Sequence, residues 1–240
     1  MIKTEILFPE ICSLYGDNGN IEYLRLSMPE AKFITDDFLS EPYFVKNTPD
    51  IIYIGSMSEA NQRKVINKLL PYKQRICSLI DSGVIMLATG SAADIFCKNI
   101  SYITEKIETE ALGIFDASVK TDYFDRWNGK LLGKFCDIPV TAFRSQFSQI
   151  YADNCENYFI KVERGSGISR ESKYEGFRRN NFFCTSLIGP FLPLNPLFCE
   201  YFFSLTGEKI KPAYFDTAME CFDERLREMS DKSTKFGYNI

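Results

Sequence analysis

The sequence predicts an α/β protein: a mostly parallel open sheet flanked by helices, with additional antiparallel strands in the C-terminal half. Three observations predict it. "DIIYIG" and "VIMLA" are short, nearly continuous apolar runs, as expected of parallel strands buried on both faces. Strand-like and helix-like segments alternate up to about residue 98, which implies right-handed βαβ units. From Ile100 to about Phe183 the pattern changes to short β-like runs separated by Gly and Asn, which suits antiparallel strands packed on the edge of the sheet.

The elements follow in order. "IKTEILF" alternates and then turns apolar, fitting a first strand; "GDNGN" supplies turn residues and a helix cap before "IEYLRLSM". "AKFIT" and "DIIYIG" are the next strands. A helical region runs from Ser58 to about Ser82, with Val65, Ile66, Leu69, Leu70, Ile76, Leu79 and Ile80 on apolar positions, and Pro71 splits it. Gly83 ends that helix, "VIMLA" is the next central strand, and "GSAADIFCK" is a short helix after it. "LLGKFCDIPVTAF", "NYFIKVERGSG" and "NNFFCTSLIG" carry the strand-rich half. Two amphipathic helices, "NPLFCEYFFSLTG" and "AYFDTAMECFDERLREM", close the chain, the latter starting after Pro212. No linker or repeat divides the sequence, so residues 1–240 read as one domain, with 229–240 expected to be a flexible tail.

Composition narrows the function. Lys plus Arg total 28 against 32 for Asp plus Glu, a net charge of -4, so no basic excess exists to hold nucleic acid or an anionic membrane. The first twenty residues contain acids and a proline and no long apolar stretch, which argues against a signal peptide or membrane anchor and makes a cytoplasmic location the expectation. Eight cysteines include no C-x-x-C pair, so no metal site is expected, and Cys97, Cys184 and Cys199 sit in hydrophobic contexts as small buried residues do. The chain has no histidine. Histidine is the usual base for a Ser, Cys or Thr nucleophile, so Cys-His and Ser-His-Asp mechanisms are excluded within this chain.

In open parallel sheets ligands sit at the carboxyl ends of the strands, here Gly55 to Met57 and Thr89 to Ser91. Backbone N–H groups in those small-residue turns are candidates to cradle an oxyanion or carboxylate. The same small residues also serve simple close packing of strand on helix. Thr89 stands where a strand turns sharply into a helix, a common place for a nucleophile, but its hydroxyl needs a base and the nearest downstream lysine is Lys98. "RGSGIS" lacks the context of a phosphate loop and fits a hairpin turn. Asp122, Asp125 and Arg126 form a polar cluster suited to a small zwitterion or to a solvated loop.

Taken together, several stretches resemble the class I glutamine amidotransferase domains of cobyric-acid-synthase type, a flavodoxin-like fold class, and especially the glutaminase subunit of lipid II isoglutaminyl synthase. "SLYGDNGNIEYLRL" resembles that subunit's opening, "IIYIGSMSEANQ" its strand and glycine turn, and "GVIMLATG" its nucleophile-elbow strand. "DRWNG" resembles an Arg-x-x-Gly segment associated with glutamine binding, and "TSLIGPFLPLNPLFCEYF" a Thr-x-Leu-His-Gly-Pro-x-Leu-Pro-x-Asn-Pro motif. The resemblance covers nearly the whole chain, in order.

The departures from the family concern its chemistry. The resemblance places Thr89, Gly90, Ser91, Ala92 and Ala93 against the family's Cys-Gly-Gly-aromatic-Gln, Ile188 against its histidine, and Gly55, Ser56 and Met57 against its oxyanion turn. Ala142 to Gln146 stand against Gly-Phe-Glu-x-His. It implies a scaffold without the cysteine nucleophile and the histidine base, with Thr89 and Ile188 as the degenerate positions. No cofactor is expected. The expected role is a noncatalytic or regulatory subunit of a Mur-ligase-like, ATP-using partner. The alternatives are a module that binds a small amino-acid-like ligand through Gly55, Ser56, Thr89, Gly90, Ser91, Arg126 and Gln146, or a working glutaminase in cell-wall or cobalamin-type amidation.

Overall fold

In the computed structural model, which describes residues 1–238, the N-terminal half is a run of alternating strands and helices. They are β1 (Lys3–Leu7), α1 (Asn18–Ser27), β2 (Lys32–Asp36), β3 (Ile51–Ile54), α2 (Glu59–Leu69), α3 (Lys73–Asp81), β4 (Ile85–Ala88) and the single turn α4 (Ala92–Ile95). Pro71 lies in a 3₁₀ turn, Leu70–Tyr72, between α2 and α3, so the expected split of the long helix is present. Helix α1 starts at Asn18, inside the stretch expected to be a turn. The reason is that the polar residues there do not face water: Asp17 and Asn20 are buried and bonded to other elements.

The strand-rich half comprises β5 (Asn99–Tyr102), β6 (Ile107–Glu110), β7 (Ser118–Thr121), β8 (Trp127–Phe135), β9 (Ile138–Gln146), β10 (Ser148–Tyr151), β11 (Ile160–Arg164), β12 (Tyr174–Glu175), β13 (Phe177–Arg179) and β14 (Phe182–Cys184). Helices α5 (Phe191–Leu194), α6 (Pro196–Ser204) and α7 (Phe215–Ser230) follow, and then β15 (Gly237–Tyr238). The main sheet has the order β13-β14-β4-β3-β1-β2. Its strands from β14 to β2 are parallel, and β13 adds an antiparallel edge. The remaining strands form two further sheets, β10-β7-β5-β6 and β12-β11-β8-β15 with β9 on β8, both largely antiparallel. The C-terminal strands are therefore more than edge additions: β14, apolar on both faces, enters the parallel sheet beside β4.

Alternation along β3 and β4 divides the apolar core between the two faces of the main sheet. Ile52, Ile54, Met86 and Ala88 pack with Val65, Ile66, Leu69, Ile76, Leu79 and Ile80 of α2 and α3. Ile51, Tyr53, Ile85 and Leu87 pack with Ile21 and Leu24 of α1 and with Phe198, Phe202 and Phe203 of α6. Most of the chain's bulky aromatic residues are consumed here: Phe198 has the rings of Phe135, Phe159, Phe183 and Phe191 within 5.1–5.5 Å of its own. Cys97, Cys184 and Cys199 are buried core residues, as their contexts indicate, and burial pushes all three thiols well up.

The C-terminal segment expected to be a flexible tail makes specific contacts over its described part. Residues 229 and 230 complete α7, and Gly237 and Tyr238 pair with Gly129 and Asn128 of β8. The intervening turn is held by Arg164, whose guanidinium donates to the carbonyls of Met229, Asp231 and Thr234 at 2.6, 2.5 and 3.0 Å and lies over the Phe236 ring. Residues 239–240 of that segment lie outside the described residues.

Candidate functional site

The carboxyl ends of β3 and β4 meet the C-terminal half at a cavity of about 170 Å³. Among the predicted residues, Ser56, Gly90, Ser91, Gln146 and Ile188 line it together. Gly55 and Thr89 stand behind its wall, and Arg126 stays at the rim, where its guanidinium donates to the Tyr15 hydroxyl at 3.2 Å and covers the Phe147 ring. The polar cluster around Arg126 is divided otherwise than expected: Asp125 is paired with Arg170 at 2.5 and 2.6 Å.

Thr89 is fully buried and its hydroxyl is committed to structure. It donates to Asp17 Oδ2 at 2.9 Å and accepts from the Tyr53 hydroxyl at 2.9 Å. Asn20 completes the cluster, donating to Asp17 Oδ1 and to Tyr53 and accepting from the Leu192 amide. This cluster joins the early "YGDNGN" stretch to the late "GPFLPLNP" stretch beneath the elbow. Asp17 also receives the Ser56 amide at 2.5 Å, which pins the turn after β3. Gly55 permits that approach, because a Cβ there would lie 2.5 Å from the Cys12 carbonyl oxygen. Burial raises the Asp17 carboxyl to about 6 against these stabilising hydrogen bonds.

The apex of the strand-to-helix turn is Gly90, with φ +59, whereas Thr89 has no left-handed backbone. A nucleophile elbow carries its reacting side chain on the strained residue at the apex, and the residue with that backbone here is Gly90. A Cβ built on Gly90 would point at Ser56 Oγ, 2.5 Å away, and at Ile188 Cγ2, 3.2 Å away. Gly90 and the half-buried Ile188 are thus close neighbours, and both line the cavity. Lys98 is exposed and paired with Asp116 at 2.6 Å, far from serving Thr89 as a base.

The backbone donors expected to cradle an oxyanion are already used. The Ser56 amide goes to Asp17, the Met57 amide to Ser91 Oγ at 2.8 Å, the Ser91 amide to Ser56 Oγ at 3.2 Å and the Gly90 amide to the Leu187 carbonyl. Ser91 Oγ in turn donates to the Met57 carbonyl at 2.5 Å, and the two serine hydroxyls lie 3.2 Å apart. The serine side chains sit in the turns as built-in hydrogen-bond partners, so these amides already donate within the protein.

Beside Ser56, Ser91 and Gln146, the cavity's polar lining includes Asp94 and Thr121, which the sequence does not single out. Asp94, on α4, is 1% exposed and lines the cavity. Its Oδ2 accepts from Gln62 Nε2 at 2.9 Å, and Gln62 is held by the Ser91 carbonyl and the Tyr102 hydroxyl. Burial raises the Asp94 carboxyl to about 7, with Gln62 and Ser148 opposing the rise. The available sequence signal was an acid inside the small and apolar run "SAADIF". Among the described residues, seven buried side-chain N or O atoms lack a hydrogen-bond partner. Three of them, Asp94 Oδ1, Thr121 Oγ1 and Gln146 Oε1, belong to residues lining this one cavity.

No family model and no curated protein matches the sequence. Solved structures do share its fold. PurLQS from Thermotoga maritima is 9% identical, over 94% of this chain and 99% of that chain, with a TM-score of 0.54. A crystal structure of a glutamine amidotransferase is 12% identical over 85% of this chain and 99% of its own, with a TM-score of 0.53. A glutamine amidotransferase from Thermotoga maritima is 10% identical over 94% and 92%, with a TM-score of 0.51. Likenesses at 9–12% identity speak for architecture, and on them this chain has a glutamine-amidotransferase-like α/β fold.

Proposed function

We propose that the chain is a catalytically degenerate glutamine-amidotransferase-like protein, a pseudo-glutaminase, acting as a noncatalytic or regulatory subunit of a Mur-ligase-like, ATP-using partner. The observation that carries the first part is that Gly90, at the apex of the turn, and its neighbour Ile188 both line the cavity. Amide hydrolysis through a covalent intermediate needs an attacking atom, a proton carrier and oxyanion donors. Gly90 offers no side chain, Ile188 carries no proton, and the nearby amides already donate inside the protein. Removal of nucleophile or base typically costs rate factors of about 10⁴ to 10⁶. The purified protein incubated with glutamine is expected to release no ammonia above buffer; release proportional to protein concentration would overturn this reading.

The partner reading is supported by exposed apolar side chains near the cavity mouth. Leu14 and Tyr15, both exposed, line it, and Phe124, 89% exposed, lies two residues from Arg126 on the rim. Solvent-facing aromatic residues are enriched at protein interfaces. Affinity purification from the native host is expected to co-isolate a Mur-ligase-like protein, and recovery of this chain alone counts against it. A second reading, that the cavity is retained to bind a small ligand, is favoured by the buried polar residues Asp94, Thr121 and Gln146 in its lining.

A further inference from the structure

The loop between β2 and β3, residues 37–50, is fastened to the main sheet by two acids. Glu5, in the middle of β1, and Asp36, at the end of the neighbouring β2, are both buried. Glu5 Oε1 accepts the Phe44 amide at 2.9 Å and Asp36 Oδ2 accepts the Tyr43 amide at 3.3 Å. Consecutive N–H groups of the 3₁₀ turn Tyr43–Val45 therefore end on one pair of carboxyls. The Phe44 carbonyl accepts from Arg75 Nε at 3.0 Å, and its buried ring meets Tyr72 edge on. Phe44 is thus the anchor of a loop whose other residues are mostly exposed.

The two carboxyls are also hydrogen-bonded to each other. An ionised carboxyl has no donor, and no N–H or hydroxyl of another residue reaches Glu5 Oε2, so that bond requires a proton resident on the pair. Charged groups on the surrounding elements are committed elsewhere. Arg75 of α3 donates to the carbonyls of Phe44 and Asn47, and Lys68 of α2 to the Leu39 carbonyl, over the Phe38 ring. Lys46 pairs with Glu41, Glu10 accepts the Phe38 amide, Asp37 bonds Ser40 and Asp50 accepts the Lys3 amide. Tyr43 and Tyr72 add two phenols, and β3 adds only the apolar Ile52 and Ile54 on this face.

We propose that Glu5 and Asp36 form a proton-dependent latch for this loop: one proton shared by the two carboxyls fixes the Tyr43–Val45 turn, and its loss frees the turn and withdraws Phe44 from the core. Without the proton, two negative charges lie together away from water, an arrangement that buried carboxyl pairs avoid. Strand β1 is paired on both sides within the parallel sheet and is fixed there. The exposed loop is the part that yields at least cost. Burial, and then the bond to Asp36, raises the Glu5 carboxyl from 4.5 to about 9. The latch is therefore closed at neutral pH and opens as pH rises through about 9.

In the full chain, 4-fluorophenylalanine incorporated in place of Phe44 tests this by fluorine NMR, followed from neutral pH to about two pH units above it and beyond the Glu5 transition. The signal of a solvent-exposed ring, recognised by its shift between light and heavy water, is expected to grow about tenfold or more, with a midpoint near about 9. The emission maximum of Trp127, on β8, is expected to stay where it is at neutral pH. Glu5→Gln keeps an acceptor for the Phe44 amide and a donor for Asp36 with no proton to lose, so its ring is expected to stay buried throughout. Asp36→Asn removes the second charge and serves where Glu5→Gln does not fold, with the same expectation. A parent ring that stays buried across the whole range would overturn the latch. So would release in a folded variant at the parent's midpoint, or a Trp127 shift that accompanies the ring, since the whole molecule would then be unfolding.

Discussion

Asp94 and Gly90 carry the residue-scale consequences. The Asp94 carboxyl is raised from 3.8 to about 7, chiefly by burial and further by Glu59 and Glu175, and Asp17 is raised to about 6. An acid whose folded pKa exceeds its unfolded value binds its proton more tightly when folded. Its stabilising contribution is therefore fully present below about pH 3.8 and is lost as pH rises through about 7. For Asp94 the difference corresponds to roughly 4 kcal/mol above pH 7, an upper figure for so buried a group. Asp94→Asn removes the charge and keeps an acceptor for Gln62, so it should be more stable than the parent by about 2 kcal/mol or more at pH 8 and nearly equal to it at pH 4. Urea unfolding at both pH values checks this, and a gap of the same size at each would refute it. Gly90→Ala should lose about 1–3 kcal/mol, because alanine meets Ser56 at 2.5 Å in a left-handed backbone. Adding Ser56→Gly should recover the steric part and leave the backbone part, a coupling that a double-mutant cycle measures. "ATGS" announces a tight turn but not which of its residues carries the positive φ.

At the scale of elements, β3, β4 and the broken helix α2–α3 were legible because each carries its own signal. Those signals are continuous apolar runs for doubly covered strands and a proline inside a helical period. Elements fixed by distant partners were not legible in this way. Helix α1 begins inside a turn-like sequence because Asn20 bonds Leu192, and no local pattern reveals a partner 172 residues away. The tail reads as mobile from its polar composition, and nothing in that composition shows that Arg164, on β11, donates to the Met229, Asp231 and Thr234 carbonyls. Of these the Met229 carbonyl lies in the last turn of α7, beyond the reach of intrahelical donors, so the guanidinium acts there as a C-terminal cap supplied from another strand. Arg164→Ala should cost about 1–3 kcal/mol and loosen the turn before β15. Hydrogen exchange should then quicken at the Lys130 amide, which donates to the Phe236 carbonyl at 2.8 Å, while β3 amides stay protected. Unchanged exchange at Lys130 would show that the tail pairs without the clamp.

Across the whole molecule, the cavity lies where separate sheets are joined, and one of the joints is a buried ion pair. Arg144, on β9, donates to Glu175, on β12, at 2.5 Å, to the Gly167 carbonyl, and stacks over Trp127 at 3.9 Å. Glu175 also accepts from Thr185 Oγ1, the Ser186 amide and Ser186 Oγ at 2.9, 3.0 and 2.9 Å, just past the end of β14 in the main sheet. One carboxylate thus joins the β8-containing sheet to the parallel sheet, and Ser186 and Gln146, on either side of the join, both line the cavity. Removing one member of such a pair strands a buried charge, with typical losses of about 3–5 kcal/mol, whereas apolar replacement of both is far milder. Glu175→Leu and Arg144→Met should each fall in that range. The double variant should lose clearly less than the sum, retaining the cost of the Thr185 and Ser186 groups left without their acceptor. Chemical denaturation of the four proteins measures the coupling. Strictly additive losses would mean that each residue acts through its own neighbours and that the pair does not hold the sheets together.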